Sequence, residues 1–378
     1  MKRIMAFAGV MCVMLALISS GCSKKENAES KKISITRLSD RKNEYLTSLK
    51  NFSTKNISAS DDLVLTFPKK VYSGKYICTS GYQRNARKLF SHYISDYSQK
   101  NETLNENTYP TGPDYLDPET GLEMSIGCNG FFSYNTEDFD TKKYFPQNNN
   151  KLIKTYSYNE LDSDDHYTLK GGKDISVSEA RRLAQEFADD FVGMADFGNG
   201  LRVSRINLYK TGQEYYYQID YSQSVNGMDI LNYPPEYVDS DIVAPMSIAF
   251  LVSDRVADFA VNSLIEPYKT KEVKRITDPE DAAERVSRRL AKNMSLKLKR
   301  VSLEYCLKRI GNLQESKDGE ETDREIAGYS TFYQADLYEV TPCWILSVIQ
   351  GSKRLCQRGW RRGICLYSAD IIPYHQMP

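Results

Sequence analysis

Two stretches some hundred residues apart follow one grammar, and that repetition constrains the fold more than any other feature of this chain. In "ISVSEARRLAQEFADDF" (175–191), Ser176 occupies an N-cap position and Glu179 follows three residues later, the spacing of a capping box. Ala180, Leu183, Phe187 and Phe191 then recur at helical intervals and define an apolar face. In "ITDPEDAAERVSRRLAKNM" (276–294), Thr277 is the expected cap and Glu280 completes the box. Pro279 sits in the first turn, where its missing N–H costs nothing. Ala283, Val286 and Leu290 form the second face.

Each helix is followed by strand signals. After the first, "LRVSRINLY" precedes "EYYYQIDYS", in which Tyr215, Tyr217, Ile219 and Tyr221 alternate with polar neighbours; the short "KTGQ" joins them. "SIAFLVSDRVADFAV" adds a hairpin turning at Ser253–Asp254. After the second helix, "RVSLEYCLKRI" sets Val301, Leu303, Tyr305 and Leu307 on one face, and "CWILSVIQ" follows beyond the polar excursion "GNLQESKDGEETDREIAG". "GICLYSADIIP" stands where the first copy has its hairpin.

A helix on a small antiparallel sheet, used twice in the same order, resembles tandem PepSY-like modules and the extracytoplasmic YycH/YycI-type regulators of sensor kinases. The resemblance covers roughly 166–378 and includes the phrases "SVNGMDI" and "W…YSAD". It implies an α+β fold and a regulatory, non-catalytic role at the cell surface. Upstream, "LVLTFP" and "GKYICTSG" are strand-like and "YQRNARKLFSHYISDYS" is helical. "GLEMSIGCNGFFSYNT" is a hairpin turning at Asn129–Gly130. The expected organisation is a small N-terminal α+β domain (41–165), a first module (166–270) and a second module (271–378).

The N-terminus carries a different signal. Met1, Lys2 and Arg3 precede an apolar run from Ile4 to Ile18, and Ser19, Ser20 and Gly21 lead to Cys22. A positive end, a short apolar stretch and small residues make a secretion signal, and the run is short for a permanent membrane span. Ending at a cysteine, it resembles the lipobox of bacterial lipoproteins, although Ser19 stands where that family prefers Leu, Val or Ile. The resemblance implies cleavage after Gly21, a covalent diacylglycerol on Cys22 and residence on the extracytoplasmic face of the cell membrane. Residues 1–21 are then the signal peptide and 22–40 a polar tether, whose Lys24, Lys25, Lys31 and Lys32 attract anionic headgroups.

Composition excludes some functions. Fifty basic and fifty acidic residues balance, so nothing marks a nucleic-acid binder. The 378 residues, 40% of them hydrophobic, suffice for two or three folded domains. Six cysteines remain beyond Cys12 and Cys22, and no CxxC occurs among them: Cys78, Cys128, Cys306, Cys343, Cys356 and Cys365. The pair expected to bridge is Cys356 with Cys365, around "QRGWRRGI" with its two turn-permitting glycines.

Catalytic signatures are scarce. The three histidines, His92, His166 and His375, form no HExxH or HxH pair. No nucleophile elbow or phosphate loop occurs, and Lys210–Thr211–Gly212 is a turn between strands. "ELDSDDHYTLKGG" gathers Asp162, Asp164, Asp165 and His166 but lacks the glycine and terminal glutamate of a calcium loop, and is expected to be a solvated linker. The candidate binding loop is "SKRLCQRGWRRGIC", where Arg354, Arg358, Arg361 and Arg362 surround Trp360. The sequence therefore points to a membrane-anchored, non-catalytic lipoprotein with a protein partner and no cofactor. A transporter's substrate-binding lipoprotein is the alternative, but it would need many βαβ units where strands here follow strands.

Overall fold

The computed structural model describes residues 31–78, 86–94, 97–98, 102–104, 113–117, 119–127, 131–145, 150–195, 200–231, 247–261, 264–289, 296–313, 335–350 and 363–368. The fold is α+β. The chain divides into two compact units, each assembled from separate stretches. The first takes Met1–Lys70, Val273–Leu303 and Cys343–Pro378, and the second takes Val71–Glu272 and Glu304–Pro342.

In the first unit, β1 (Lys32–Ser34) pairs antiparallel with β17 (Arg275–Thr277), placing Ile33 opposite Ile276, both buried. Helices α1 (Ile35–Asp40) and α2 (Lys42–Lys50) follow, burying Leu38 and Leu49. Residues 32–40, expected to be tether, are thus folded, because their apolar positions fit a strand and then a helix. Strand β2 (Ile57–Thr66) pairs in parallel with the start of β18 (Leu296–Leu313). The second copy was expected to be wholly antiparallel, so this pairing is a departure. The end of β19 (Ala335–Gln350) pairs with β20 (Gly363–Ser368).

Helix α6 (Pro279–Arg289) also belongs to this unit. Its cap is Asp278, not Thr277: Asp278 Oδ1 accepts the Glu280 N–H at 3.0 Å, while Thr277 ends β17. Ala282, Ala283 and Val286 are buried, and Leu290 lies outside the described residues.

The second unit is built on a ten-stranded sheet. Its strands are β4 (Glu102–Leu104), β5 (Pro113–Leu116), β6 (Glu123–Gly127), β7 (Phe131–Asn135), β8 (Lys151–Ser157), β11 (Gly200–Thr211), β12 (Glu214–Val225), β13 (Met228–Asp229), β14 (Ser247–Leu251) and β15 (Val256–Val261). The order is β4-β5-β6-β7-β15-β14-β12-β11-β8, with β13 on β12. The β12–β13 turn is Asn226–Gly227, both at positive φ (52° and 75°), as a tight two-residue hairpin requires. The β14–β15 turn contains Ser253–Asp254, as expected. Strands β7 and β8 both fall in the later half of the expected N-terminal domain (41–165). They pair with β15 and β11, so the sheet runs on across position 165. The cause is shared burial: Phe132 and Tyr156 enter the same core as Tyr217, Ile219 and Tyr221. The same unit holds β3 (Tyr72–Cys78) between β16 (Ile265–Glu272) and residues 337–340 of β19.

Helix α5 (Val177–Ala195) lies on this sheet, and Ser176 Oγ accepts the Glu179 N–H at 3.0 Å as expected. The fully buried stripe is Ala180, Ala184, Ala188 and Phe191. Leu183 and Phe187 are half-buried, and helix α3 (Ala86–Tyr93) packs on that flank, where Tyr93 stacks on Phe187 with centroids 5.4 Å apart. Small alanines let the helix approach closely enough for tyrosines below to reach its backbone. Tyr221 Oη donates to the Ala184 carbonyl at 2.8 Å, and Tyr217 Oη to that of Ile175 at 2.9 Å. Each phenol buries its ring while satisfying its hydroxyl.

Candidate functional site

Strand side chains alternate, so residues next to those under α5 point to the other face of the sheet. There the sequence places a polar row, all within the second unit. Thr155 (β8) stands opposite Asn207 (β11), and Asn207 opposite Gln218 (β12). Thr155 Oγ1 donates to Asn207 Oδ1 at 2.9 Å. Asp220 is the hub: it accepts from Arg205 Nε at 2.6 Å, Gln218 Nε2 at 2.9 Å and Asn207 Nδ2 at 3.4 Å. Asp220 is only 7% exposed, so the hydrogen bonds and the guanidinium replace the water it has lost.

Across β14 the row continues to β15 and β7. Asp258 stands opposite Asn135 and accepts from its Nδ2 at 3.1 Å. Burial pushes the Asp258 carboxyl up to about 6, and the Asn135 amide offsets only part of that rise. The row therefore holds two carboxyls of different character: one braced by a cation, the other by a neutral amide.

One end of this face is closed by aromatic packing. Phe139 and Tyr144, the latter on α4 (Thr141–Tyr144), cover Tyr216 and Phe250. Charges tie the cover down. Lys143 pairs with Glu214, whose carboxyl is held low chiefly by that contact, and Asp138 bridges Arg255 and Lys170. Asn150 Nδ2 donates to Tyr216 Oη at 3.0 Å. The groups of the row are amides, a hydroxyl, a guanidinium and carboxyls, which interact by hydrogen bonding and charge.

The histidines lie apart from the row. His92 Nε2 is 2.7 Å from Asp190 Oδ2 between α3 and α5, and Tyr93 Oη donates to the same oxygen at 3.0 Å. Burial, and then the Asp190 charge, push the Tyr93 phenol up. His166 is 3.5 Å from Asp174. It is not in a linker: β9 (His166–Thr168) pairs with β10 (Asp174–Ser176), and a 3-10 turn covers Tyr158–Asp162. The acidic residues there serve separate partners, Asp162 with Arg181 and Asp165 with Lys154. His375 lies outside the described residues.

Cys22 and the candidate loop residues Arg354, Cys356, Arg358, Trp360, Arg361 and Arg362 also lie outside the described residues. Cys365 is on β20 opposite Ser347 of β19. Sequence analysis missed the polar row, although its signal is present: Asn207, Gln218, Asp220 and Asp258 each interrupt a strand at the alternate register. What was hidden is which strands are neighbours.

No protein-family model matches this chain, and no curated protein matches it. Among solved structures, it is similar to an uncharacterized protein from Eubacterium rectale ATCC 33656. The identity is 14%, over 86% of this chain and 95% of that one, with a TM-score of 0.49.

Proposed function

We propose that this protein is a lipoprotein held at the extracytoplasmic face of the cell membrane through a diacylglycerol on Cys22, and that it binds a protein partner there without catalytic turnover. The observation that carries this reading is the seam at 15–22, where an apolar run passes through Ser19, Ser20 and Gly21 to a cysteine and then to a charged stretch. Two acyl chains bury enough methylenes for stable anchoring. Partner binding draws support from the two sheet-bearing units, the polar row and the arginine-rich loop around Trp360. The mechanism is occupancy: tether, dock and change the partner's state. A PepSY-like relationship belongs to the same proposal, supported by α5 lying on an antiparallel sheet and by the recurrence of the capped helix in α6.

Replacing Cys22 with serine tests the anchor. The wild-type protein should follow the membrane pellet and the detergent phase, whereas the variant should be soluble or remain an unprocessed precursor. Identical partition of the two, with no acyl mass on the wild-type N-terminal peptide, would contradict the proposal.

A further inference from the structure

The first unit shows where the proposed anchor enters the fold. Nine residues, Ser23 to Lys31, separate Cys22 from β1. Fully extended they span about 30–33 Å, and less in any other conformation. The chain then enters the β1–β17 ribbon, whose inner face holds Ile33 and Ile276 and whose outer register positions include Lys32 and Arg275.

This ribbon and its flanks are strongly cationic. Residues 31–41 and 273–278 contain Lys31, Lys32, Arg37, Arg41, Lys274 and Arg275 against only Asp40 and Asp278. Asp278 is fully buried and Lys31 caps it at 3.2 Å, while Arg41 is paired with Glu44 of α2. Lys32, Arg37, Lys274 and Arg275 are exposed. The backbone fixes them in place: Arg275 Nη2 donates to the Lys32 carbonyl at 3.0 Å, and the Ile35 N–H donates to that of Lys274 at 3.1 Å.

We infer that the β1–β17 ribbon is the membrane-facing surface of the first unit, and that Lys32, Arg37, Lys274 and Arg275 seat it on anionic lipid headgroups. The inference rests on the anchor reading for the tether's reach, but the charge on the ribbon acts by itself. Headgroup potential extends about one Debye length from a bilayer, so the cations act only when held close to it, which a short tether ensures. Anchor and patch together give the protein a fixed orientation.

The test reads lysine accessibility in the full acylated protein, reconstituted into phosphatidylglycerol or phosphatidylcholine vesicles. Amine labelling is mapped by mass spectrometry. Lys32 and Lys274 should label about fivefold or more slowly on phosphatidylglycerol, with protection lost at high salt, while the exposed Lys151 and Lys297 label equally on both. Equal labelling of Lys32 and Lys274 on the two lipids would overturn the inference. A Lys32→Gln/Lys274→Gln/Arg275→Gln variant, checked for an unchanged melting temperature, should lose preferential binding to phosphatidylglycerol in competition between the two vesicle types. Retained preference would equally overturn it. The N-terminal peptide from the same sample reports acylation. Acylated but unprotected protein removes the patch and leaves the anchor. Unacylated protein that is still protected by added phosphatidylglycerol vesicles removes the anchor and leaves the patch.

Discussion

Ser176 and Asp278 open α5 and α6 in the same way, each accepting a backbone N–H at 3.0 Å, yet their surroundings differ. α5 is held by its own sheet. Tyr217 and Tyr221 donate upward to the backbone of α5 and its lead-in, and Gln185 exchanges hydrogen bonds with the backbone of Leu201 and Val203. α6 draws on distant segments. Lys31 pairs with the Asp278 carboxylate and accepts its backbone N–H. Thr54 and Asn56 hold Ser287 at 2.5 Å and 3.0 Å, and Trp344 Nε1 donates to the Thr277 carbonyl at 2.7 Å. The comparison teaches that the sequence repeat encodes helix starts and faces, whereas the partners of each helix are set by topology. The second copy is completed by residues 31–57, which lie at the other end of the chain.

The largest expected effect falls on α5. Phe191 is fully buried, 4.6 Å from the Phe132 ring centroid and 5.3 Å from that of Phe259. Phe191→Ala should cost about 3–5 kcal/mol in denaturant unfolding. A loss under 1 kcal/mol would mean that α5 is not seated on its sheet as described.

The caps sharpen the contrast. Ser176→Ala removes one hydroxyl acceptor and should cost about 1 kcal/mol. Asp278→Ala removes a cap and a buried carboxylate together and should cost about 2 kcal/mol or more. Lys31 is 73% exposed, so Lys31→Ala should cost only a few tenths of a kcal/mol. Equal effects of the two cap substitutions would remove the distinction between the helices.

A further prediction sets Asp278 against another carboxyl, Asp258, on the far face of α5's sheet. Asp258 is buried beside the Asn135 amide, and its folded-state value of about 6 lies above the unfolded 3.8. Between about pH 4 and 6 the folded chain holds a proton that the unfolded chain has lost, so this group's contribution to stability falls as pH rises through that window. Asp258→Asn should therefore stabilise by on the order of 1 kcal/mol at pH 8, where the wild-type carboxylate is charged, and leave stability unchanged near pH 3.5. Thermal melts of both proteins across pH 3.5–8 check the sign. A variant that is less stable at pH 8 would show that the carboxylate is braced by charge.

Much of the fold was legible because it is local. Ser176 and Glu179 announced α5, the Ser253–Asp254 turn was visible, and the alternation of Tyr217, Ile219 and Tyr221 marked the face that α5 covers. The buried set Val301, Leu303, Tyr305 and Leu307 was also read correctly. What failed is non-local. Thr277 looked like the cap because Glu280 follows it at capping-box spacing, but β17 needs Thr277 to pair with Lys32, and the helix takes the next residue. Ala184 and Ala188 were overlooked because alanine carries little apolar signal, although small side chains are what close helix–sheet contact needs. The polar row stayed hidden because its members come from five strands whose order no periodicity specifies.

The central functional claim rests on one covalent bond, and mass spectrometry of the mature protein's N-terminal peptide tests it most directly. Purified from membranes, the chain should begin at Cys22 and carry the added mass of a diacylglycerol, whose two ester-linked acyl groups are released by alkaline hydrolysis while the glyceryl thioether remains. An unmodified Cys22 thiol, or a mature chain beginning at any other residue, would contradict the account.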